Sequence, residues 1–283
     1  VKITPIAGAL GADISGIDVA SPISDGAFET LRQAIWRHGV VAIRDQALTP
    51  AQQLAFARRF GDIHYHPHVK GLPEQPEVME ILKTETDTIN FGAGWHTDQM
   101  FLPKPANYTC LYGLEIPESG GDTLFASMPS GFQSMSPAMQ RLACGLRSLN
   151  LSVAGQLSRA HSSSAATFAS MRAQEAPADE QMAEHPVVRQ HPETGAPALY
   201  IGIHSMALAG FEVPESRPLI DYWLSCLTRH ENTCRLRWAP GTLAIWDNRV
   251  VLHNAINDYQ GRRRRMHRIT LSGDAPIPYA CPD

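Results

Sequence analysis

The sequence predicts a mainly β protein, a sandwich or jelly roll with flanking helices packed outside it, and three observations carry that reading. Helical spacing dominates the N-terminal part, short strand-like runs set off by turns fill the C-terminal part, and 283 residues suffice to bury a substantial core between layers. In chain order, Ser24-Asp25 opens a helical pattern that runs to about His38 and sets Phe28, Leu31 and Ile35 at helix spacing. Val40-Val41-Ala42-Ile43 follows as an apolar run of strand length, the mark of a buried strand. Thr49-Pro50-Ala51-Gln52 starts a second helix. The threonine caps it, proline takes the first position, where a missing N–H is no loss, and Gln52 completes a capping box. This helix should bury Leu54, Phe56 and Phe60 and stop at Gly61. Residues 155–183, rich in Ser, Ala, Gln and Glu, form the least core-like stretch and read as either a mobile lid or a disordered segment, with a lid expected because lids cluster at active sites. Thr233–Trp238 then alternates, Pro240-Gly241 turns, and Thr242–Trp246 and Arg262–Ser272 complete the strands.

Composition removes several function classes. Hydrophobic residues at 43% and charged residues at 18% describe an ordinary soluble globular protein. A net charge of -4 gives no electrostatic reason to expect nucleic acid, and the four arginines Arg262–Arg265 are too few to form a nucleic-acid patch alone. The five cysteines are odd in number and widely spaced, with no C-x-x-C pair, so they read as buried thiols of a reducing compartment rather than zinc ligands or a disulfide framework. No signal peptide and no apolar run of membrane-spanning length occurs, so the expectation is a cytoplasmic protein with no membrane partner. There is no Gly-rich phosphate loop and no G-x-S-x-G elbow, which disfavours nucleotide binding and serine hydrolysis.

Trp95-His96-Thr97-Asp98 carries the chemistry. On a strand, positions two apart share a face, so the His96 imidazole and the Asp98 carboxylate project toward one point. They supply two adjacent corners of an octahedron. His253, after the run Ala244–Leu252, is the best candidate for a third ligand. Two histidines and a carboxylate on one face leave the other positions open, an arrangement that suits oxygen-activating iron(II), although zinc with water would make the same set hydrolytic. His64, His66 and His68 also alternate, but along a strand they spread over roughly 13 Å, too far to share an ion. Trp95 and Trp246 flank the proposed ligands and read as packing that keeps the site dry.

Trp95-His96-Thr97-Asp98, Gly120-Gly121-Asp122-Thr123, Trp246-Asp247-Asn248-Arg249 with His253, then Arg264 and Arg268, form an ordered series. With these motifs the sequence resembles the taurine dioxygenase and 2,4-dichlorophenoxyacetate dioxygenase family of iron(II)- and 2-oxoglutarate-dependent oxygenases. The likeness extends from Gly11-Ala12-Asp13-Ile14-Ser15-Gly16 to Gly273 and takes in His185-Pro186-Val187-Val188-Arg189 and His191-Pro192-Glu193-Thr194-Gly195. It implies a double-stranded β-helix (jelly-roll, cupin-like) core in a single domain over 1–283, and a homo-oligomer. It makes His96, Asp98 and His253 the iron ligands, while Thr123 and Arg264 hold the distal carboxylate of 2-oxoglutarate. Arg268 and His66 would meet an anionic group on a small organic substrate. The implied reaction consumes 2-oxoglutarate and O2, gives succinate and CO2, and hydroxylates a substrate C–H.

Physical chemistry supports the clamp, because a buried carboxylate needs a fixed cation and an arginine fork binds it bidentately. If Arg262–Thr270 is a strand, Arg264, Met266, Arg268 and Thr270 share one face and His267 points away. The sequence departs from the taurine enzyme at Gly92, Val69 and Ser205, which replace an asparagine, a tyrosine and an aromatic residue. Those losses of polar and aromatic wall point away from taurine toward aryloxyalkanoates, alkyl sulfates or other sulfonates. Two rivals stand beside this reading. A zinc hydrolase could use the same triad, though it has no need of the Thr123–Arg264 clamp. A non-catalytic jelly-roll binding protein would have no need to keep the triad intact.

Overall fold

The structure, a computed structural model, describes residues 1–66, 69–152, 170–171 and 182–281. Its first half runs β1 (Lys2–Pro5), β2 (Ala12–Ser15), α1 (Asp25–His38), β3 (Val40–Ile43), α2 (Pro50–Ala57), β4 (Ile63–His64), β5 (Met79–Lys83), β6 (Tyr108–Glu115), β7 (Thr123–Ser127), α3 (Met128–Gln133), α4 (Pro137–Cys144) and β8 (Arg147–Leu151). The second half runs β9 (Met182–Pro186), β10 (Val188–Gln190), β11 (Pro197–Leu199), β12 (Ser205–Leu208), α5 (Val213–Leu227), β13 (Thr233–Leu236), β14 (Leu243–Asp247), β15 (Val251–Ala255), β16 (Arg264–Leu271) and β17 (Ile277–Pro278).

The major sheet has the order β1-β2-β3-β14-β6-β16-β4, with β5 also paired to β16. Its central strands are apolar on both faces because both faces are covered. In β14, Leu243 and Ile245 join Leu31 and Ile35 of α1 and Leu54 and Phe56 of α2 in one core, while Ala244 and Trp246 face the other way. There they meet Phe125 of β7 and Leu252 of β15, which belong to the opposing layer β13-β7-β15. The two facing layers make the expected jelly roll.

The opposing layer continues through backbone bridges rather than long strands. His96 and His253 exchange N–H···O bonds of 3.0 and 2.7 Å, Ile203 N–H donates to Trp95 O at 2.9 Å, and Leu151 N–H donates to His204 O at 2.9 Å. This seam ties β15 to the sheet β12-β8-β9 and carries the proposed ligand pair.

Both predicted helices form. Ser24 caps α1 and Thr49 caps α2 with its capping box complete. The second helix ends early, at Ala57, and a 3-10 turn over Arg58–Phe60 carries the chain to Gly61. Phe60 stays half-buried, its ring 4.8 Å from that of Phe28. The expectation of free thiols throughout is corrected at two positions. Cys144 and Cys281 are joined, tying the end of α4 to the C-terminal segment, whereas Cys110, Cys226 and Cys234 are free and buried. Widely spaced cysteines gave no sign of this pair because the fold, and not the spacing, brings them together. The expected lid at 155–183 lies outside the described residues apart from 170–171 and 182–183. No helix among the described residues is long and apolar enough to cross a membrane.

Candidate active site

His96, Asp98 and His253 converge, each buried, with one candidate ligand atom apiece within 4.8 Å of the others, and they form the one such group among the described residues. The local structure differs from the strand expected for His96-Thr97-Asp98. Only His96 is bridged to β15, and Asp98 opens a turn in which Gln99 takes a left-handed φ of 57°. The two side chains nevertheless meet: His96 Nε2 lies 3.8 Å and His253 Nε2 3.5 Å from Asp98 Oδ1.

The protonation states suit metal binding. Burial holds both imidazoles below the usual histidine range, partly opposed by Asp98. His96 Nδ1 lies 2.8 Å from Gly94 O, and a carbonyl only accepts, so the proton of the neutral ring sits on Nδ1 and leaves the Nε2 lone pair free. Burial alone would raise the Asp98 carboxyl, but Arg268, the two histidines and the Thr109 hydroxyl outweigh it and hold it far below the carboxylate range. The site therefore presents two neutral imidazoles and one carboxylate, the donor set that fits iron(II).

Asp98 is held by residues that sequence reasoning did not single out. Thr109 Oγ1 donates to Asp98 Oδ2 at 2.6 Å, and Asn248 Nδ2 donates to Thr109 Oγ1 at 3.0 Å. Asn248 Oδ1 in turn accepts from Trp246 Nε1 at 3.0 Å and from the Asp98 N–H at 3.3 Å. The Trp246 ring also packs at a tilt of 54° against that of His253, centroids 4.9 Å apart, so it orients the site as well as drying it. The sequence signal was the Trp-Asp-Asn-Arg run itself, but Thr109 lies on β6 and nothing local marks it.

Thr123 and Arg264 begin β7 and β16 and stand beside Trp238. Trp238 Nε1 donates to Thr123 Oγ1 at 3.0 Å, and its ring lies 5.7 Å from Arg264 Cζ. Arg264 is 4% exposed, yet its Nε and Nη2 have no hydrogen-bond partner. Burying a guanidinium with open donors is unfavourable unless an anion completes it, so this side chain fits a bound carboxylate. Gly121 (φ 71°) is needed here, because a Cβ would stand 3.3 Å from both Arg264 Cδ and Tyr259 Cδ1.

Arg268 comes from the same face of β16, as predicted, with Thr270 accepting from its Nε at 3.1 Å and Nη2 lying 2.7 Å from Asp98 Oδ1. It borders a cavity of about 490 Å³ whose wall includes His66, Val69, Leu72, Met79 and Thr270. Arg268 thus joins the His96–Asp98–His253 cluster to an open chamber, and His66 shares that chamber.

The three departures noted in the sequence separate. Val69 lines the chamber. Gly92 lies against His96, where a Cβ would sit 3.6 Å from His96 Cε1. Ser205 turns into the protein and donates to Asn150 at 2.9 Å, while the ring of its neighbour His204 lies edge-on to His96 at 6.2 Å. Asp122 pairs across the layer with Arg235 at 2.6 Å. Asp247 does bond the Arg249 N–H at 2.9 Å, within a larger ionic network.

A model of the family described as "Taurine catabolism dioxygenase TauD, TfdA family" matches residues 2–270. An alpha-ketoglutarate-dependent sulfate ester dioxygenase from Pseudomonas putida is 30% identical, over 98% of this chain and 91% of the relative. An alkylsulfatase from Acinetobacter baylyi is 31% identical, over 97% and 86% respectively. Among solved structures, a taurine dioxygenase from Burkholderia xenovorans superposes with a TM-score of 0.82 at 29% identity, over 98% of this chain and 92% of that one.

Proposed function

The chain belongs to the TauD, TfdA family of 2-oxoglutarate-dependent dioxygenases, and from that premise we propose that His96, Asp98 and His253 hold its iron(II) and that the site hydroxylates a C–H of a small organic anion. It is an oxidoreductase whose cofactors are iron(II), 2-oxoglutarate and O2. The observation that carries the site assignment is the pairing of a neutral-imidazole and carboxylate triad with a buried, unsatisfied Arg264.

When bound, iron(II) with 2-oxoglutarate and O2 supplies oxidative decarboxylation to succinate and CO2, coupled to C–H hydroxylation. The residues of the chain bind, orient and exclude water. Gly94 O fixes the His96 tautomer, and Thr109 with Asn248 fixes the rotamer of Asp98. Trp238 donates to Thr123, which leaves the threonine O–H free to join the Arg264 fork on the distal carboxylate of 2-oxoglutarate. Arg268, buried between Asp98 and the chamber, anchors the anionic end of the substrate, with His66 beside it. Val69, Leu72 and Met79 give that anion an apolar arm to bury. Such a wall favours alkyl sulfates and longer sulfonates over taurine, and aryloxyalkanoates fit the same chemistry. The sulfate-ester enzymes among the relatives support putting alkyl sulfates first.

The test is succinate formation with iron(II), ascorbate, O2 and 2-oxoglutarate over a panel of alkyl sulfates, sulfonates, taurine and aryloxyalkanoates, with a zinc-loaded control. Iron-dependent succinate stimulated most by an alkyl sulfate or long sulfonate is expected. Stimulation by taurine alone would overturn the substrate reading, and turnover with zinc alone would overturn the triad's role. The same reading takes residues 1–283 as one catalytic domain with a lid at 155–183, working as a cytoplasmic homo-oligomer without nucleic acid or membrane partners. The net charge of -4 supports the exclusion of nucleic acid. The joined Cys144 and Cys281 weaken the cysteine argument for the cytoplasm. Light scattering of the purified protein tests the oligomer.

A further inference from the structure

Lys83 ends β5 directly opposite Arg264 on β16, so the two side chains leave the same face of the sheet. That face also carries Met79 opposite Arg268, which line the substrate chamber. Lys83 is 3% exposed and its Nζ has no hydrogen-bond partner. The ammonium rests over the ring of Tyr259, 4.5 Å from its centroid. Tyr259 is also the neighbour of Arg264, its hydroxyl buried and without a geometrically sound partner. Two buried cations with open donors therefore flank one aromatic ring.

The nearby acid does not account for Lys83. Asp87 feels its charge, but that carboxylate is engaged by the Thr84 N–H and hydroxyl at 2.7 Å each and by the Ser170 hydroxyl. No hydrogen bond joins Asp87 to Lys83. A buried ammonium without a partner is strongly unfavourable, so its presence calls for an anion that arrives with a ligand.

We propose that Lys83 is a second cation of the 2-oxoglutarate pocket, closing with Arg264 on the distal carboxylate of the cosubstrate. This rests on Arg264 being that carboxylate's clamp, as argued above. A carboxylate offers about four lone-pair sites. The arginine fork fills two, the Thr123 hydroxyl a third, and the Lys83 ammonium takes the fourth. Tyr259, 3% exposed, lies against both cations.

The test is calorimetric binding of 2-oxoglutarate to the anaerobic iron(II) protein for wild type, Lys83→Met, Lys83→Arg and Arg264→Ala, with melting temperatures measured without 2-oxoglutarate. Loss of one charge-assisted hydrogen bond predicts that Lys83→Met weakens 2-oxoglutarate binding by about tenfold to a hundredfold. Its iron(II) affinity should stay at the wild-type value. Its melting temperature without 2-oxoglutarate should equal or exceed the wild type's, because methionine fills the volume without an unpaired charge. Lys83→Arg should retain most of the binding. Wild-type 2-oxoglutarate affinity in Lys83→Met would overturn the proposal while leaving the Arg264 clamp standing. A lowered melting temperature in ligand-free Lys83→Met, unrepaired by arginine, would reassign Lys83 as a structural residue. Undiminished binding by Arg264→Ala would overturn the clamp itself and the proposal with it.

Discussion

Two buried clusters in this protein share a composition, an aspartate between an arginine and histidine, and differ in whether their hydrogen bonds are finished. In the Asp247 cluster, Oδ1 accepts from the Arg249 N–H and Nε at 2.9 and 2.8 Å, and Oδ2 accepts from Arg249 Nη2 at 2.6 Å and His191 Nε2 at 3.0 Å. Arg249 goes on to Glu193 and the Tyr108 hydroxyl, and His191 Nδ1 accepts from the Thr194 N–H. Around Asp98 the carboxylate is similarly served by Arg268 and Thr109, but His253 Nδ1 has no partner, and neither do Nε and Nη2 of Arg264, on the same face of β16 as Arg268. The Nε2 atoms of both metal-site histidines stand 3.5–3.8 Å from Asp98, beyond hydrogen-bond range. Buried charge therefore does not by itself mark function. The closed cluster ties the β14–β15 turn to the segment after β10, and the open one keeps donor and acceptor atoms unspent.

The largest contrast comes from breaking each cluster once. His96→Ala and His253→Ala should each reduce iron(II) binding and turnover to background while the protein still unfolds cooperatively near the wild-type denaturant midpoint. Asp247→Ala should do the reverse in kind. It leaves Arg249 buried without its main partner, which lowers stability by about 3–5 kcal/mol in urea unfolding, and any loss of turnover should follow the loss of folded protein. If Asp247→Ala stayed as stable as wild type, the closed cluster would not be the fastening described here.

One step smaller are the residues that bridge the clusters. Asn248 lies between Asp247 and Arg249 yet serves Asp98, through its own Oδ1 and through Thr109. Thr109→Val and Asn248→Ala should weaken iron(II) binding by about tenfold to a hundredfold, the usual consequence of losing a residue that orients a ligand. Thr109→Ser should restore most of it. An unchanged iron titration in Thr109→Val would show that Asp98 keeps its rotamer unaided. Arg268→Ala should raise the substrate requirement by about tenfold, as one lost charged hydrogen bond implies, with a smaller change in the 2-oxoglutarate requirement. Equal shifts in both would move Arg268 out of the substrate site.

The comparison also explains what was legible in the sequence. His96, Asp98, His253 and Arg264 could be singled out because they sit in ordered motifs at fixed spacing, and the fold brings the first three together. The helix starts at Ser24 and Thr49 could be read because capping is local chemistry. The strand expected for His96–Asp98 failed, because one backbone bridge to His253, made across 157 residues of chain, does the positioning that a strand would have done. Thr109, Trp238, Tyr259 and the Cys144–Cys281 pair were invisible for the same reason. Each acquires its role from a neighbour set by cross-strand register or packing, and none has a local signature. His204 stands in no sequence motif, yet its ring lies edge-on to His96.

An unfinished hydrogen bond is not sufficient evidence of a site either, and His267 supplies the smallest and sharpest test of that limit. Its Nδ1 is buried without a partner, as His253 Nδ1 is. But His267 alternates with Met266 and Arg268 on β16 and so points to the side away from the triad, where its own carbonyl accepts from Gln53 of α2 at 3.1 Å. Burial, with help from Arg265, pushes its pKa down to about 4 from an ordinary 6.5. The unfolded chain therefore takes up a proton that the native state refuses as pH falls from 6.5 toward 4. His267 thus contributes no penalty above pH 7 and a growing one through that window. Between pH 7 and pH 6 the loss is of the order of 0.5 kcal/mol by linkage. His267→Gln should flatten the stability profile over that unit of pH, read by urea unfolding, and leave iron(II) and 2-oxoglutarate affinities unchanged. A change in either affinity would mean that the helix-covered face of β16 communicates with the metal site, and the division between a closed structural side and an open functional side would have to be redrawn through this strand.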